Sequence, residues 1–88
     1  MQEDMVLKFK ITVGELIREL RTKKDVSLTR LAYEYDFDKG NLSKTERGIY
    51  SIHLITAWRL AEALGMKFSD FAKCLEEKLG DDFVLMDE

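Results

Sequence analysis

The sequence of 88 residues lacks proline altogether and has a single cysteine, Cys74. Because short strands and loops usually contain some proline, its absence favours a chain built from helices. One cysteine cannot close a disulfide within the chain, so packing or association must hold the fold together, and we expect a reducing, cytoplasmic setting. No apolar run approaches the roughly 18 to 20 residues that span a bilayer, and the start MQEDMVLKFK lacks the apolar core of a signal peptide. We therefore expect no membrane partner and no export.

The chain also lacks an excess of positive charge, since 14 Lys and Arg face 17 Asp and Glu for a net charge of −3. That balance argues against a protein that coats nucleic acid by charge alone. The charge is unevenly distributed, however. Residues 18–30 hold five basic and two acidic groups, residues 39–50 hold three and one, and residues 51–88 hold four and eight. With 45% hydrophobic residues, the sequence predicts one small globular domain with a basic region and an acidic C-terminal end.

Hydrophobic periodicity and capping residues predict five helices. Helix 1 starts with a capping box over residues 12–15 and ends near residue 24. Helix 3 covers about residues 39–47, is too polar for a core helix, and has only Leu42 and Thr45 facing inward. Helix 4 is the most apolar and is expected to be the central scaffold, with Leu54, Ala57, Trp58, Ala61 and Leu64 on one broad face. The predicted N-caps are Thr12, Ser27, Asp38, Ser51 and Ser69, and the predicted glycines at helix ends are Gly48, Gly65 and Gly80.

Helices 2 and 3, joined by a short turn, have the layout of a helix-turn-helix, in which the second helix enters the major groove of DNA. Spacing alone is weak evidence, because every helical bundle has such corners. Three segments in order between residues 17 and 71 strengthen it: IRELRTKKDVSLTRLA, NLSKTERG and LAEALGMKFSDF. On these segments the chain resembles the lambda-repressor-like, Cro/CI or Xre family of helix-turn-helix transcriptional regulators. The resemblance implies an all-α, compact five-helix DNA-binding domain with the motif at about residues 28–47.

The two ends of the chain are interpreted as extensions of this domain. Residues 7–11 alternate apolar and basic side chains, and residues 83–86 are short, apolar and strand-like. The two segments are able to pair as a small ladder, whereas loose packing is the preferred interpretation for the last acidic residues. The predicted boundaries are an N-terminal extension over 1–11, the helix-turn-helix domain over 12–80 and an acidic tail over 81–88.

The resemblance also implies roles for individual residues. The outward positions of helix 3 match those that touch base edges in the family: Lys39, Gly40, Asn41, Ser43 and Lys44. Their chemistry suits this role, since lysine donates to guanine and asparagine pairs with adenine. Arg47 and the turn at Gly48 match a corner where a cation and backbone amides contact phosphate. Arg21 and Glu46 match a charged pair that ties helix 1 to the recognition helix.

Several positions depart from the family pattern. Leu28 stands where the family has a glutamine that contacts phosphate, and the nearby polar residues that are candidates to replace this contact are Lys24, Ser27, Thr29 and Arg30. Asp36 replaces a glycine of the turn, and aspartate tolerates the left-handed conformation better than most residues. Asp38 is expected to face phosphates and to weaken binding modestly. Ile52 replaces the customary proline in the first turn of helix 4.

Simpler interpretations compete with function at several residues. Without the flanking pattern, Lys39, Asn41 and Lys44 would be read as a solvated helix face. His53 has no second ligand one turn later, Cys74 has no partner, and the paired carboxylates near the C-terminus lack the spacing of a calcium loop. The sequence contains no recognisable nucleophile–base pair or cluster of metal ligands, so we expect no enzymatic activity, no metal and no cofactor.

The sequence thus predicts a sequence-specific DNA-binding transcriptional regulator, a repressor, that acts as a homodimer on an inverted repeat. Dimerisation is expected because one recognition helix offers only a few base contacts, each bidentate one worth about 1 to 3 kcal/mol. The expected interface is helix 5 with the two chain ends, where Phe9, Phe83, Val84 and Met86 have no evident place in the core. The alternative is an antitoxin-like or other protein-interaction module whose acidic C-terminal end binds a protein, with secondary or lost DNA binding. Leu28 and Asp38 leave this alternative open.

Overall fold

The computed structural model describes residues 3–86, which form five α-helices and, within that range, no strand. The all-α, five-helix prediction is confirmed. The first two residues of the predicted N-terminal extension and the last two of the predicted acidic tail lie outside the described residues. In chain order the helices are α1 (Glu3–Lys23), α2 (Leu28–Glu34), α3 (Lys39–Glu46), α4 (Leu54–Ala63) and α5 (Phe68–Leu79).

Helix α1 begins far earlier than the sequence pattern predicted. Thr12 lies in its interior, where its hydroxyl donates to the carbonyl of Lys8 at 2.7 Å, so the predicted capping box is wrong. Residues 7–11 are helical, which also makes the predicted N-terminal strand wrong. Glu3 and Asp4 occupy the first turn, where the positive end of the helix dipole favours carboxylates. Residues 7–11 therefore continue the helix that this first turn stabilises, although their apolar and basic side chains alternate as in a strand.

The caps around the helix-turn-helix are as predicted. The Ser27 hydroxyl accepts a hydrogen bond from the Arg30 amide at 3.1 Å, and an Asp38 carboxylate oxygen accepts one from the Asn41 amide at 2.9 Å. Each side chain satisfies one of the amides that a helix start leaves without a partner. These two caps place the first residues of α2 and α3.

The predicted caps of the last two helices are wrong. Helix α4 starts after His53 and α5 after Lys67, and neither residue makes a side-chain capping bond, whereas Ser51 precedes α4 and Ser69 lies inside α5. At α5, the Phe68 ring stacks on Trp58 with 5.0 Å between centroids. Packing of an aromatic side chain therefore decides where α5 begins, and the local capping preference does not.

The core forms around α1 together with the second half of α4. Helix α1 contacts both α3 and α5 and contributes Leu16 and Ile17, which are buried. On α4, Leu54 and Trp58 are 71% and 51% exposed, so the prediction that they face the core is wrong. The predicted inward residues Ala61 and Leu64 are buried. The hydrophobic residues outside α1 that are at most 1% exposed are Leu31, Leu60, Ala61 and Leu64. The first half of α4 thus presents an apolar surface to solvent.

The C-terminal segment returns to α1. Phe9 and Phe83 stack with 6.2 Å between ring centroids, and the Lys8 ammonium lies 5.9 Å above the Phe83 ring. Residues 83–86 form no strand, so the predicted ladder between the chain ends is wrong in the described residues. The two phenylalanines that had no evident place in a five-helix core are partners of each other.

Candidate nucleic-acid interface

The turn between α2 and α3 covers residues 35–38. Its Phe37 amide donates to the carbonyl of Ala32 at 2.9 Å, which folds the chain back after α2. Asp36 has a φ of +58°, in the left-handed region where glycine is usual and aspartate is among the better-tolerated alternatives. The turn therefore keeps its shape without the family glycine.

Helix α3 has one buried and one exposed face. Leu42 and Thr45 are 4% and 1% exposed, and the Thr45 hydroxyl donates to the carbonyl of Asn41 at 2.8 Å. Among the residues predicted to touch bases, Ser43 is half-buried and the others are exposed: Lys39, Gly40, Asn41 and Lys44. Because the inward face is fixed by packing, the polar face has a defined direction relative to the rest of the domain.

Helices α1 and α3 approach each other so closely that Gly14 has no room for a side chain. A Cβ atom there would lie 2.5 Å from the carbonyl oxygens of both Thr45 and Glu46. Gly48, with a φ of +76°, similarly leaves no room beside Ile11. The role of Gly14 was not predicted from the sequence, although glycine inside a helix costs about 1 kcal/mol relative to alanine and so signals a close approach.

Arg21 and Glu46 form a bidentate ion pair between α1 and the C-terminal end of α3. The Nε and Nη2 atoms of Arg21 donate to the two Glu46 carboxylate oxygens at 2.8 and 2.9 Å. The Glu46 side chain is only 4% exposed and that of Arg21 16%. Hydrogen bonding to Glu46 raises the pKa of Arg21 above its usual value. Arg18, which sequence reasoning did not assign, adds a longer contact to the same carboxylate at 3.5 Å.

The residues proposed to contact phosphate have different surroundings. Ser27 and Thr29 are exposed at the start of α2. Arg30 is exposed too, but its Nε donates to Glu34 at 2.7 Å, a hydrogen bond that raises the Arg30 pKa. The Lys24 ammonium lies against Gly65, at the turn between α4 and α5. Within the described residues the Nη groups of Arg30 make no hydrogen bond and remain available to a phosphate, and Lys24 is exposed.

At the corner after α3, the side chain rather than the backbone is available to a ligand. The amides of Arg47, Gly48 and Ile49 donate to carbonyls of α3 at 2.9 to 3.1 Å, so the expectation that amides of this turn contact phosphate is wrong for these three. The Arg47 side chain is exposed and makes one long bond, at 3.4 Å, to the Ser43 carbonyl. A phosphate contact at this corner would therefore come from the Arg47 guanidinium.

Residues 3–86 contain no group of three or more His, Cys, Asp or Glu side chains that would suit a metal ion. Over the same range, no helix has both the length and the apolar character needed to cross a membrane. The cysteine at position 74 is a half-buried free thiol.

Comparison with known proteins relates this geometry to one family. The sequence model of the helix-turn-helix family HTH_3 matches residues 17–71. Among solved structures, the restriction-modification controller protein C.AhdI from Aeromonas hydrophila is 31% identical, with a TM-score of 0.65 over 69% of this chain and 92% of that one. An HTH_3 family transcriptional regulator from Vibrio cholerae is 29% identical, with a TM-score of 0.71 over 78% of this chain and 39% of that one. The clp gene regulator ClgR from Corynebacterium glutamicum is 25% identical, with a TM-score of 0.73 over 81% and 76%. A search of curated proteins found no match.

Proposed function

Since the chain belongs to the HTH_3 family of DNA-binding, helix-turn-helix transcriptional regulators, we propose that it is a cytoplasmic repressor that binds an inverted-repeat operator as a homodimer. The observation that carries the proposal is the division of α3 into a face fixed by the core and an exposed face of basic and amide side chains. A helix of this kind enters the major groove, where each base pair presents a distinct pattern of donors and acceptors.

In this proposal the exposed face of α3 reads the bases. Lys39 and Lys44 donate to guanine O6 and N7, Asn41 pairs with adenine N6 and N7, and Ser43 serves either edge. Gly40 is exposed and has only a carboxylate oxygen of Asp38 near the space of its missing side chain, which leaves room for close approach to the groove. Arg47, Ser27 and Thr29 position the duplex through phosphates.

Arg30 and Lys24 are further candidates for phosphate contacts. Glu34 partly neutralises the charge of the Arg30 guanidinium, although it occupies only Nε. The Lys24 ammonium lies against Gly65. We therefore expect these two residues to contribute less to affinity than Arg47 does.

The proposed dimer surface is the first half of α4. Leu54 and Ile55 are 71% and 73% exposed, and Trp58 is 51% exposed although it stacks on Phe68. Contiguous exposed apolar residues on a small domain mark an interaction surface, and tryptophan is among the residues that contribute most to interfaces. Phe9 and Phe83, by contrast, stack on each other within the chain.

A second copy is the occupant we propose for this surface. Reading an inverted repeat requires two recognition helices at a fixed separation of about 34 Å or a multiple of it. Helix α4 is the next helix after α3 in the chain, so an isologous contact through α4 would transmit a fixed geometry to both copies of α3.

Binding to selected and random duplexes, measured by fluorescence anisotropy across a salt series, tests the DNA-reading proposal. We expect Lys39→Ala and Lys44→Ala to reduce the preference for the selected duplex, and Lys73→Ala, on the exposed surface of α5, to leave that preference unchanged. Equal preference in all four proteins would mean that α3 does not read bases.

Sedimentation equilibrium tests the dimer surface with two matched substitutions. Ile55→Asp adds a charge to the α4 surface, and Val84→Asp adds one to a C-terminal residue that is 55% exposed. We expect only Ile55→Asp to convert a dimer into a monomer. Dissociation by Val84→Asp alone would instead assign the interface to the chain end.

The alternative function, an antitoxin-like or other protein-interaction module, has one supporting observation. The acidic residues at the end of the described chain are exposed, and two apolar neighbours, Val84 and Met86, are exposed beside them. Removal of residues 81–88 separates the two functions. Operator preference should survive the truncation if DNA reading by α3 is the main function.

A further inference from the structure

We propose that Arg59, on α4, is a positioning residue that holds the turn between α2 and α3 and so sets the orientation in which α3 reads DNA. The inference rests on the proposed reading of bases by α3. It concerns a residue that lies outside the helix-turn-helix motif and that neither the sequence pattern nor the proposed contacts single out.

One side chain contacts three consecutive residues of the turn. Nη2 of Arg59 donates to the carbonyl of Tyr35 at 2.9 Å and to that of Asp36 at 3.2 Å. The guanidinium carbon lies 4.6 Å from the centre of the Phe37 ring, within the range of a cation–π contact. Within residues 3–86, no other side chain of α4 makes a hydrogen bond to the turn or to α3.

The contacted carbonyls are ones that need a partner. Tyr35 is the C-cap of α2, where the last carbonyls lack intrahelical donors and the helix dipole favours a cation. Asp36 has a left-handed φ of +58°, a conformation that costs energy for a residue other than glycine. The guanidinium therefore stabilises the part of the turn that is least stable by local preference.

A depression of about 200 Å³ lies between α3 and α4 beside this contact, and its walls include Asn41 and Thr45 of α3 and Thr56 and Arg59 of α4. Next to this depression, Arg59 supplies a polar connection from α4 to the turn that precedes the recognition helix. The other end of α3 is tied to α1 by Arg21 and Glu46. Each end of the recognition helix is thus associated with an arginine from outside the motif.

The geometry suits arginine and not lysine. A planar guanidinium can donate to two adjacent carbonyls while lying over an aromatic ring, whereas an ammonium on a flexible stem offers a point charge. Hydrogen bonds to base edges require the donor to be placed within about 0.5 Å, and phosphate contacts depend mainly on charge. Loss of this positioning should therefore weaken base discrimination and leave nonspecific affinity and its salt dependence almost unchanged.

The test compares Arg59→Gln, Arg59→Lys and Phe37→Leu with Lys73→Gln as the control, which removes the same charge from the exposed surface of α5. Affinities for the selected and random duplexes are measured across a salt series. Thermal unfolding of each variant is measured first, so that binding is compared at a temperature at which all variants are folded. We expect Arg59→Gln to reduce the ratio of specific to nonspecific affinity about tenfold, Arg59→Lys and Phe37→Leu to reduce it less, and Lys73→Gln to leave it unchanged.

Two results would overturn the inference. An unchanged affinity ratio in both Arg59 variants would mean that the contact does not position α3. A fall of about one unit in the salt slope for Arg59→Gln, restored by Arg59→Lys, would mean that Arg59 contacts a phosphate directly. Failure of the proposed function looks different, because the unsubstituted protein would then show no preference for any duplex, or Lys39→Ala would leave its preference intact.

Discussion

The two ends of the recognition helix α3 are held in different ways. At its C-terminal end, Glu46 is buried, receives a bidentate bond from Arg21, and lies against the backbone of α1 at Gly14. At its N-terminal end, the Asp38 cap is exposed and Arg59 contacts the preceding turn from an exposed position. The difference indicates that contacts at the C-terminal end of α3 stabilise the whole domain. The N-terminal end, which holds three of the proposed base-reading residues, Lys39, Gly40 and Asn41, is held by contacts that can be changed without unfolding it.

This difference has a physical basis in burial. A buried carboxylate that loses its partner remains desolvated and uncompensated, which is strongly destabilising. An exposed group that loses a hydrogen bond regains water, so the net effect on the free energy of unfolding is small. We therefore expect substitutions at the two ends to separate stability from DNA binding.

Glu46→Ala should have the greatest effect on stability. It leaves the partly buried Arg21 guanidinium without its carboxylate, and we expect the free energy of unfolding to fall by about 3 kcal/mol, at the low end for a broken buried pair. Urea unfolding followed by circular dichroism measures this. Glu34→Ala removes an Arg–Glu pair of similar length from the surface of α2 and should cost far less. Similar losses in both variants would contradict the importance of burial.

Gly14→Ala should come next. Its new Cβ atom would overlap the carbonyl oxygens of Thr45 and Glu46, so α1 and α3 must move apart, at a cost of about 2 kcal/mol. Gly40→Ala is the matched control, since that glycine is also helical but exposed on α3. There the new Cβ atom would lie 3.2 Å from one Asp38 carboxylate oxygen, which offsets the better helix propensity of alanine, so we expect stability to change by less than about 0.5 kcal/mol. If thermal unfolding shows the same change in both variants, the close approach at Gly14 is not what requires glycine.

Asp38→Ala should cost about 1 kcal/mol, because the Asn41 amide loses its capping acceptor. Asp38→Asn keeps an acceptor and removes the charge, so it should retain most of the stability. It should also bind DNA more tightly than the unsubstituted protein, since a carboxylate near the phosphates is removed. Unfolding and duplex binding on the same samples distinguish the cap from the charge. Equal stability of the two variants would show that the cap contributes little.

Lys39→Ala should have the least effect on stability, within about 0.5 kcal/mol, because the side chain is exposed and makes no ion pair within the described residues. Its effect should appear only in duplex preference. A marked loss of stability in this variant would contradict the proposed difference between the buried C-terminal end and the exposed N-terminal end of α3.

Much of the motif was predictable because its signals are local. The caps at Ser27 and Asp38 depend on residue type at a helix start, and the inward positions Leu42 and Thr45 follow from helical periodicity. The left-handed conformation of Asp36 was expected from the family resemblance, which places a glycine at that position of the turn. The base-contacting and phosphate-contacting residues remain predictions, which the binding experiments above address.

The failures lie where a local pattern allowed more than one outcome. The capping pattern at Thr12 was misleading because α1 continues through it, and Ser51 was misleading because α4 begins only at Leu54. Ser69 was misleading because α5 begins at Phe68, which stacks on Trp58. The apolar face of α4 was assigned to the core, although its first half is exposed. For the start of α5 and for the face of α4, contacts with other helices selected the outcome.

Residue types and their spacing were enough to specify an all-helical chain with a basic motif and an acidic end, because propensity, capping and charge are properties of neighbouring residues. Tertiary packing decided that α3 approaches α1 closely at Gly14 and that Leu54 and Trp58 of α4 face solvent. It also decided that Arg59 hydrogen-bonds to the turn at Tyr35 and Asp36. The contacts at Gly14 and Arg59 join segments more than 20 residues apart along the chain. They exist only once the helices have assembled, so no local pattern encodes which segments meet.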